Sequence, residues 1–514
     1  MKIDRTRNAT RNVFWGLVNK IVGMLLPFIC RAAIIRIFGI NYLGLNSLFS
    51  SILNVLNLAE LGFGSAVVFF MYKAVAEDDE KRICALMNYY KRVYRIIGTV
   101  VLVCGLALLP FLKLLIKSDI PEELNLYVVY LLTLASTVVT YFLFAYKNCI
   151  LEAYQRKDVV LNVYTAVAIV ERILQLIFIF ITKNYYLYIA VTVLTNIANN
   201  IIIAAIVKKR YPQYDAHGAL SDDEKKDIGN KIRGLFLYKI GHVIIGPADN
   251  IVISAVLGLT VAGMYGNYYF VVTLVCAFID IYYNAIKAGI GNSIVVESVE
   301  KNYEDFKWMQ FLQTWGIGWC AICMLCLFQD FIFLYSGKET LFDYGVVICI
   351  VGYFVTMKIQ DVVYLYKDAG GMWDYDKYRP LTGGLVNLAL NIMLVHFIGI
   401  YGVVIASIFV LTAIYLPWSP RALFHKYFKK SLWEYYRMLL IGFVEILIMA
   451  VPTLLLCSFV NVESKLLSLV IKGIICVILP NVIYLVLNLK NQQLVKTVRK
   501  ALSMLGGIVS KIKS

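Results

Sequence analysis

Lys20 and Arg31 interrupt the first long apolar stretch of this chain, and Lys239 interrupts the seventh. A cation held in hydrocarbon costs roughly 2.5–3.5 kcal/mol on insertion scales unless water, a partner or a ligand meets it. At 3.6 residues per turn, Lys20 and Arg31 lie about 20° apart on one helix face and about 16 Å apart along the axis. Two cations on one stripe make a ladder for an anion. Arg36 points elsewhere, near a segment end, and is read as snorkelling to water. In the seventh stretch Lys239 and His242 are one turn apart, and Asp249 returns to the His242 face. The eighth carries Asp280, Asn284 and Lys287 on one stripe, where an internal Asp280–Lys287 relation or pairing of Asp249 with a cation is the plain structural alternative.

Neutral polar stripes accompany the charges. Ser50, Asn54, Asn57 and Glu60 run down the second stretch, and Thr192, Thr195, Asn196, Asn199 and Asn200 down the sixth. Asn387 and Asn391 share the eleventh. Interhelical hydrogen bonding explains most such residues in bundles; a cavity that meets sugar hydroxyls is the functional alternative. Glu171 and Arg172 are neighbours, so they are expected to face different partners. Lys358 and Asp361 are one turn apart and read as a local pair. Cys320, Cys323 and Cys326 imitate a metal-binding run, but their spacing spreads them over more than one helix face. They are read as packing residues, with no metal and no cofactor expected.

The elements that must position these residues are transmembrane helices. Of 514 residues, 60% are hydrophobic and 16% charged, against about 25% charged in soluble domains. A span needs roughly 20 mostly apolar residues, and fourteen such segments are read: 12–38, 43–71, 93–116, 124–146, 159–182, 185–207, 235–257, 262–290, 311–335, 341–366, 379–397, 400–420, 437–459 and 466–489. The net charge of +16 does not point to nucleic acid, because its placement alternates. Of 49 Lys and Arg, 36 fall in the termini and every second loop, five in the intervening loops and eight inside segments. The positive-inside rule then puts both termini in the cytoplasm. The scattered cysteines form no disulfide framework.

The longest polar connection, 209–234, separates two six-helix halves, 1–208 and 235–432. Helices thirteen and fourteen occupy 433–489 and a basic tail 490–514. At an offset of 219 residues Lys20 meets Lys239, Ile34 meets Ile253, Gly39 meets Gly258 and Gly44 meets Gly263, a parallel internal repeat. In the tail, Leu494, Val498, Leu502 and Leu505 oppose Lys496, Arg499 and Lys500, as in a basic helix lying on a membrane surface. The loops on the intervening side are too short for a catalytic domain, and no P-loop pattern occurs. The chain is therefore expected not to be an enzyme or a self-powered ATP pump.

The second-span text LAELGFGSA (Leu58 to Ala66) and the texts PADNIVIS and LGLTVAGMYGNYY resemble the bacterial Wzx-type polysaccharide-unit flippases. These belong to the multidrug/oligosaccharidyl-lipid/polysaccharide exporter superfamily. The resemblance covers essentially the whole chain. It implies an all-α fold of two six-helix lobes in a V, plus two C-terminal helices. It also implies transport of undecaprenyl-pyrophosphate-linked oligosaccharide across a bacterial cytoplasmic membrane for O-antigen, capsule or exopolysaccharide synthesis, beside a polymerase and other assembly proteins. By similarity, Lys20, Arg31 and Lys239, with Lys287 less securely, would hold the pyrophosphate. Energy would come from an ion gradient through Glu60, Asp249 or Asp280, or from the membrane potential. A lipid II flippase and a cation or drug antiporter are the rivals within the superfamily.

Overall fold

The computed structural model describes residues 5–60, 63–117, 120–372 and 375–499, and the side chains of 5–10, 13, 59, 65, 233–245 and 288 are not described. Among the described residues the chain is all helix and no strand. Its elements are α1 (Arg5–Ile37), α2 (Ile40–Leu56), α3 (Phe63–Ala76), α4 (Glu80–Ala107), α5 (Leu126–Phe142), α6 (Asn148–Ala153), α7 (Lys157–Ile177), α8 (Tyr185–Arg210) and α9 (Asp222–Leu257). There follow α10 (Leu259–Val296), α11 (Val299–Ser336), α12 (Tyr344–Lys358), α13 (Asp361–Ala369), α14 (Arg379–Ile398), α15 (Ile400–Phe409), α16 (Leu416–Arg421), α17 (Leu432–Ser458) and α18 (Lys465–Leu487).

Among the described residues, ten helices or helix runs are long and apolar enough to cross a membrane, and up to twelve if each of two bent pairs counts as one span. The bends, 60° after α4 and 48° after α5, fall where Pro110 and Leu143 interrupt regular helix. Of the other two expected segments, 43–71 gives way to a tighter turn at Asn57–Glu60, and 235–257 lies within the unbroken α9, whose described end Gly246–Leu257 is apolar. Polarity accounts for the turn in 43–71: Asn57 and Glu60 seek partners off the helix. Helix α9 starts inside the polar connection, where Ser221 and Glu224 form a reciprocal capping box.

The chain forms two compact units, Met1–Gly266 with Pro380–Leu388, and Asn267–Arg379 with Ala389–Ser514. In the first, α1 packs on α7, α5 on α8 and α2 on α9; in the second, α11 packs against both α17 and α18, and α12 against α15. The expected tail helix begins at residue 492, but its first turns lie on α11. Leu494 is buried, Lys496 Nζ reaches Asp305 Oδ1 at 2.8 Å, and Trp308 Nε1 donates to Thr497 Oγ1 at 2.9 Å. Leu502, Leu505 and Lys500 lie outside the described residues.

The repeat offset of 219 reappears as geometry inside the first unit. Gly39 and Gly258 share one backbone conformation, φ 101° and ψ 169° against φ 96° and ψ 173°, open at no steric cost to glycine alone. Each closes the preceding helix in the same way, Gly39 N–H donating to Ile34 O at 3.2 Å and Gly258 N–H to Ile253 O at 3.1 Å. The matched residues also meet each other. A Cβ on Gly44 would stand 2.1 Å from Leu259 O, and one on Gly263 would stand 2.5 Å from Ile40 O. Thr260 Oγ1 donates to Asn41 Oδ1 at 2.8 Å. Such reciprocal contacts arise where two copies of one hairpin face each other across a two-fold axis.

Substituting Gly44 or Gly263 by Val should force α2 and α10 apart and lower stability by about 1–3 kcal/mol. Gly39→Ala and Gly258→Ala should cost about the same through backbone strain. Gly23→Ala on α1, where a Cβ meets nothing within 4 Å, should not destabilise. Thermal melting of purified protein checks this; a Gly44→Val variant melting with the wild type would contradict it.

Candidate functional site

The turn that ends α2 carries Asn57 and Glu60 into the interior of the first unit. Tyr94 on α4 donates to Glu60 Oε1, and Tyr141 on α5 reaches Glu60 Oε2 at 2.7 Å and Asn57 Oδ1 at 3.1 Å. Tyr90, one turn before Tyr94, donates to its hydroxyl at 3.0 Å. A carboxylate that accepts from two phenols is the charge-assisted arrangement that makes a buried ion tolerable.

Glu60, Tyr90, Tyr94 and Tyr141 line a cavity of about 420 Å³ together with Glu152, Tyr164, Asn196 and Asn200. A second cavity of about 230 Å³ lies among Ser50, Asn54, Asn57, Thr133, Ser136 and Thr192. Asn57, in the wall of the smaller, accepts from Tyr141 in the wall of the larger, and Asn196 Nδ2 donating to Ser136 O at 2.9 Å ties α8 to α5 between them. Asn200 Nδ2 donates to Asn196 O at 2.9 Å. The stripes of the second and sixth segments thus face cavities on the polar side of α5. Asn148 Oδ1 and Asn199 Oδ1, beside the larger cavity, have no hydrogen-bond partner among the described residues. Buried acceptors are ordinarily met, so this cavity has capacity for hydroxyl donors.

Of the cations, Lys20 is half-buried on α1 and has no ion pair among the described residues. Arg31 donates from Nη2 to Gly266 O at 2.9 Å, beside Ser47, whose hydroxyl would stand 2.8 Å from a Cβ on Gly266. Ser47 and Gly266 are themselves 219 apart. The side chains of Lys239 and His242 lie outside those described. Asp249 and Asn387 are buried.

The eighth-segment stripe does not pair within itself. Lys287 Nζ binds Asp368 Oδ2 at 2.9 Å, and Asp280 Oδ1 binds Lys358 Nζ at 2.7 Å. Lys358 also holds Asp361 at 3.0 Å, the local pair its spacing implies. Asn284 is exposed. Asp280 finds Lys358 on another element closer than Lys287 two turns along its own helix. Glu171 and Arg172 likewise differ from expectation: Arg172 Nη2 is 3.6 Å from Glu171 Oε1, its Nη1 donates to Gln175 Oε1 at 2.6 Å, and Thr192 donates to Glu171 at 3.0 Å. Gln175, one turn on, gathers both neighbours into one network.

Sequence reasoning missed the tyrosines. Tyr90 and Tyr94 at i, i+4 share one helix face, but among 36 tyrosines that spacing does not single them out. It also missed a buried charge cluster in the second unit. Asp376 accepts from Lys367 and, at 2.8 Å, from Arg379 Nε. The Arg379 guanidinium lies 4.9 Å from the Tyr364 ring centroid and 4.3 Å from that of Tyr415, and all three charges are at most 4% exposed.

The model of the family described as "Polysaccharide biosynthesis protein" matches residues 9–286, more than half of the chain. The chain belongs to the polysaccharide biosynthesis protein family. No curated protein matches it by sequence. Among solved structures, one titled "Lipid II flippase MurJ, inward closed conformation" is similar at TM-score 0.66 and 14% identity, over 93% of this chain and 99% of that one. An inward-facing multidrug resistance MATE family transporter of the MOP superfamily is similar at TM-score 0.61 and 15% identity, over 79% and 97%. A MOP superfamily transporter from Pyrococcus furiosus, whose title reports a binding pocket of reversed polarity, is similar at TM-score 0.55 and 15% identity, over 82% and 96%. At such identities these likenesses show that this polysaccharide biosynthesis protein shares its fold with these structures.

Glu60→Ala should leave the Tyr94 phenol without its acceptor, Tyr141 keeping Asn57, and cost about 1–3 kcal/mol, with Glu60→Gln intermediate, both read by thermal melting. Asp376→Ala leaves two buried cations uncompensated and should cost about 3–5 kcal/mol. Its yield of folded, monodisperse protein after extraction should collapse, whereas Asp280→Asn, where Lys358 keeps Asp361, should be recovered normally.

Proposed function

We propose that this member of the polysaccharide biosynthesis protein family is a transporter. It would turn undecaprenyl-pyrophosphate-linked oligosaccharide from the inner to the outer leaflet of a bacterial cytoplasmic membrane, making and breaking no covalent bonds. Family membership carries the reading, and the fold, shared with a lipid II flippase over 93% of this chain, supports it. The physics agrees. A pyrophosphate and a sugar are both very costly in hydrocarbon, so a transport path must supply cations for the one and hydrogen-bonding groups for the other.

Lys20, half-buried and without an ionic partner among the described residues, suits the first need. Arg31, oriented by the Gly266 carbonyl, stands on the same helix face. The asparagine- and tyrosine-lined cavity of the first unit suits the second. Lys287 contributes less to the reading, because Asp368 already neutralises it. Glu60, held by two phenols, is a carboxylate of that cavity's wall through which coupling to an ion would run.

Arg31→Ala and Lys20→Ala, expressed in cells lacking the native transporter, should lower outward display of lipid-linked glycan by at least about tenfold, the worth of one charge-assisted hydrogen bond. Protein levels should be normal and Arg31→Lys should retain part of the activity. Full display by both alanine variants would remove these residues from the path. Purified protein in vesicles with defined undecaprenyl-pyrophosphate glycans, lipid II or an organic cation identifies the cargo; movement of the cation alone would overturn the reading.

A further inference from the structure

Helices α11, α17 and α18 of the second unit meet at a group of thiols. The Sγ atoms of Cys326, Cys457 and Cys476 all lie within 4.8 Å of one another, and all three residues are buried. A fourth thiol stands close by: Cys323, one turn before Cys326 on α11, interacts with Cys476 but lies outside the set of three sulfurs that are mutually within 4.8 Å. Among the described residues this is the one place where three or more metal-ligating side chains gather this closely. The other buried cysteines, Cys30, Cys84, Cys149 and Cys276, are not part of any such group.

We propose that Cys323, Cys326, Cys457 and Cys476 form a binding site for a thiophilic d10 cation, Zn²⁺ or Cu⁺, which staples α17 and α18 to α11. Thiolates are the soft donors these ions prefer. In a tetrahedral zinc site with Zn–S bonds of about 2.3 Å the sulfurs stand about 3.8 Å apart. The spacing of Cys326, Cys457 and Cys476 therefore needs to close by no more than about 1 Å, with Cys323 swinging in as the fourth donor. Cys323 and Cys326 also reproduce the two-residue spacer that many zinc thiolate sites use. The run Cys320, Cys323 and Cys326 covers more than one face, as its spacing implies, and two of its members point to the sulfurs of other helices.

Binding is not a redox step. Each thiol that ligates gives up its proton to solvent as its sulfur–metal bond forms, so four thiols and Zn²⁺ yield a dianionic centre and four protons. A buried dianion needs compensation, and the neighbouring charges supply some. Asp330, one turn beyond Cys326, is shared by Lys472 at 2.6 Å and Lys465 at 3.4 Å. Lys472 lies one turn before Cys476, so two cations and one carboxylate leave a net positive charge beside the thiols.

The test uses the purified full-length chain, reduced and stripped of metal by a chelator. Titrated with ZnCl₂, or with Cu⁺ under reducing conditions, it should take up about one equivalent of one of the two ions. Co²⁺ in place of zinc should give the thiolate-to-metal charge-transfer absorption of a tetrahedral site. The double variant Cys457→Ala/Cys476→Ala should lose affinity by more than about 100-fold, beyond what a merely supporting residue costs, and Cys320→Ser should bind as the wild type does. Should the double variant fail to fold, alkylation of the wild type replaces it. Added zinc should then protect Cys326, Cys457 and Cys476 while exposed Cys104 reacts unchanged. Uptake of neither ion, undiminished uptake by the folded double variant, or alkylation indifferent to zinc would overturn the proposal. So would a disulfide within the group that persists through reduction-free purification while the reduced protein binds no metal.

Discussion

Two glycines let the two hairpins of this protein touch. Where α2 crosses the start of α10, Gly44 and Gly263 bring backbone against backbone, closer than any side chain would allow. In a membrane, helices gain little from excluding apolar surface, because lipid is as apolar as leucine. Association there rests on close van der Waals packing and on interhelical hydrogen bonds. Small residues at the crossing provide the first, and Thr260 with Asn41 provides the second. Arg31, donating to Gly266 a turn further along, owes its position to this contact. Without the close approach its guanidinium would have no backbone carbonyl at that depth.

The same economy governs the polar interior. The broken end of α2 frees Asn57 and Glu60 from helical geometry, and phenols on α4 and α5 meet them. Phenols are apt partners here, presenting a large apolar body to the bundle and a single donor to the carboxylate. The second unit handles charge differently. Asp376 serves Lys367 and Arg379 together, and Asp330 serves Lys465 and Lys472. Buried ion pairs of this kind contribute little net stability but are severely destabilising when halved. They read as fixed structure, in contrast with Lys20 and the open polar cavities of the first unit.

Membrane class, most span positions and family were legible in the chain itself. Hydropathy and helical period are local properties, and they place Ser50, Asn54 and Asn57 on one face whatever that face meets. The repeat was legible too, through Gly39, Gly44 and their counterparts at 258 and 263, because a glycine needed for conformation or closeness leaves few alternatives. Within segment 43–71 the turn at Asn57–Glu60 was not legible, because average hydropathy is blind to a break four residues long.

What tertiary structure decided is partnership. The sequence placed Asp280 and Lys287 on one stripe, yet each binds across to another element, because helix crossings bring Lys358 and Asp368 nearer than two turns of the same helix. It put Cys457 and Cys476 far from Cys326 along the chain, and only the packing of α17 and α18 on α11 gathers the sulfurs. It offered Tyr94 and Tyr141 as two among many tyrosines, and only the bundle aims them at one carboxylate. A helix's own period fixes which residues share a face. Which faces then meet depends on crossing angles, breaks and close approaches that no single segment encodes.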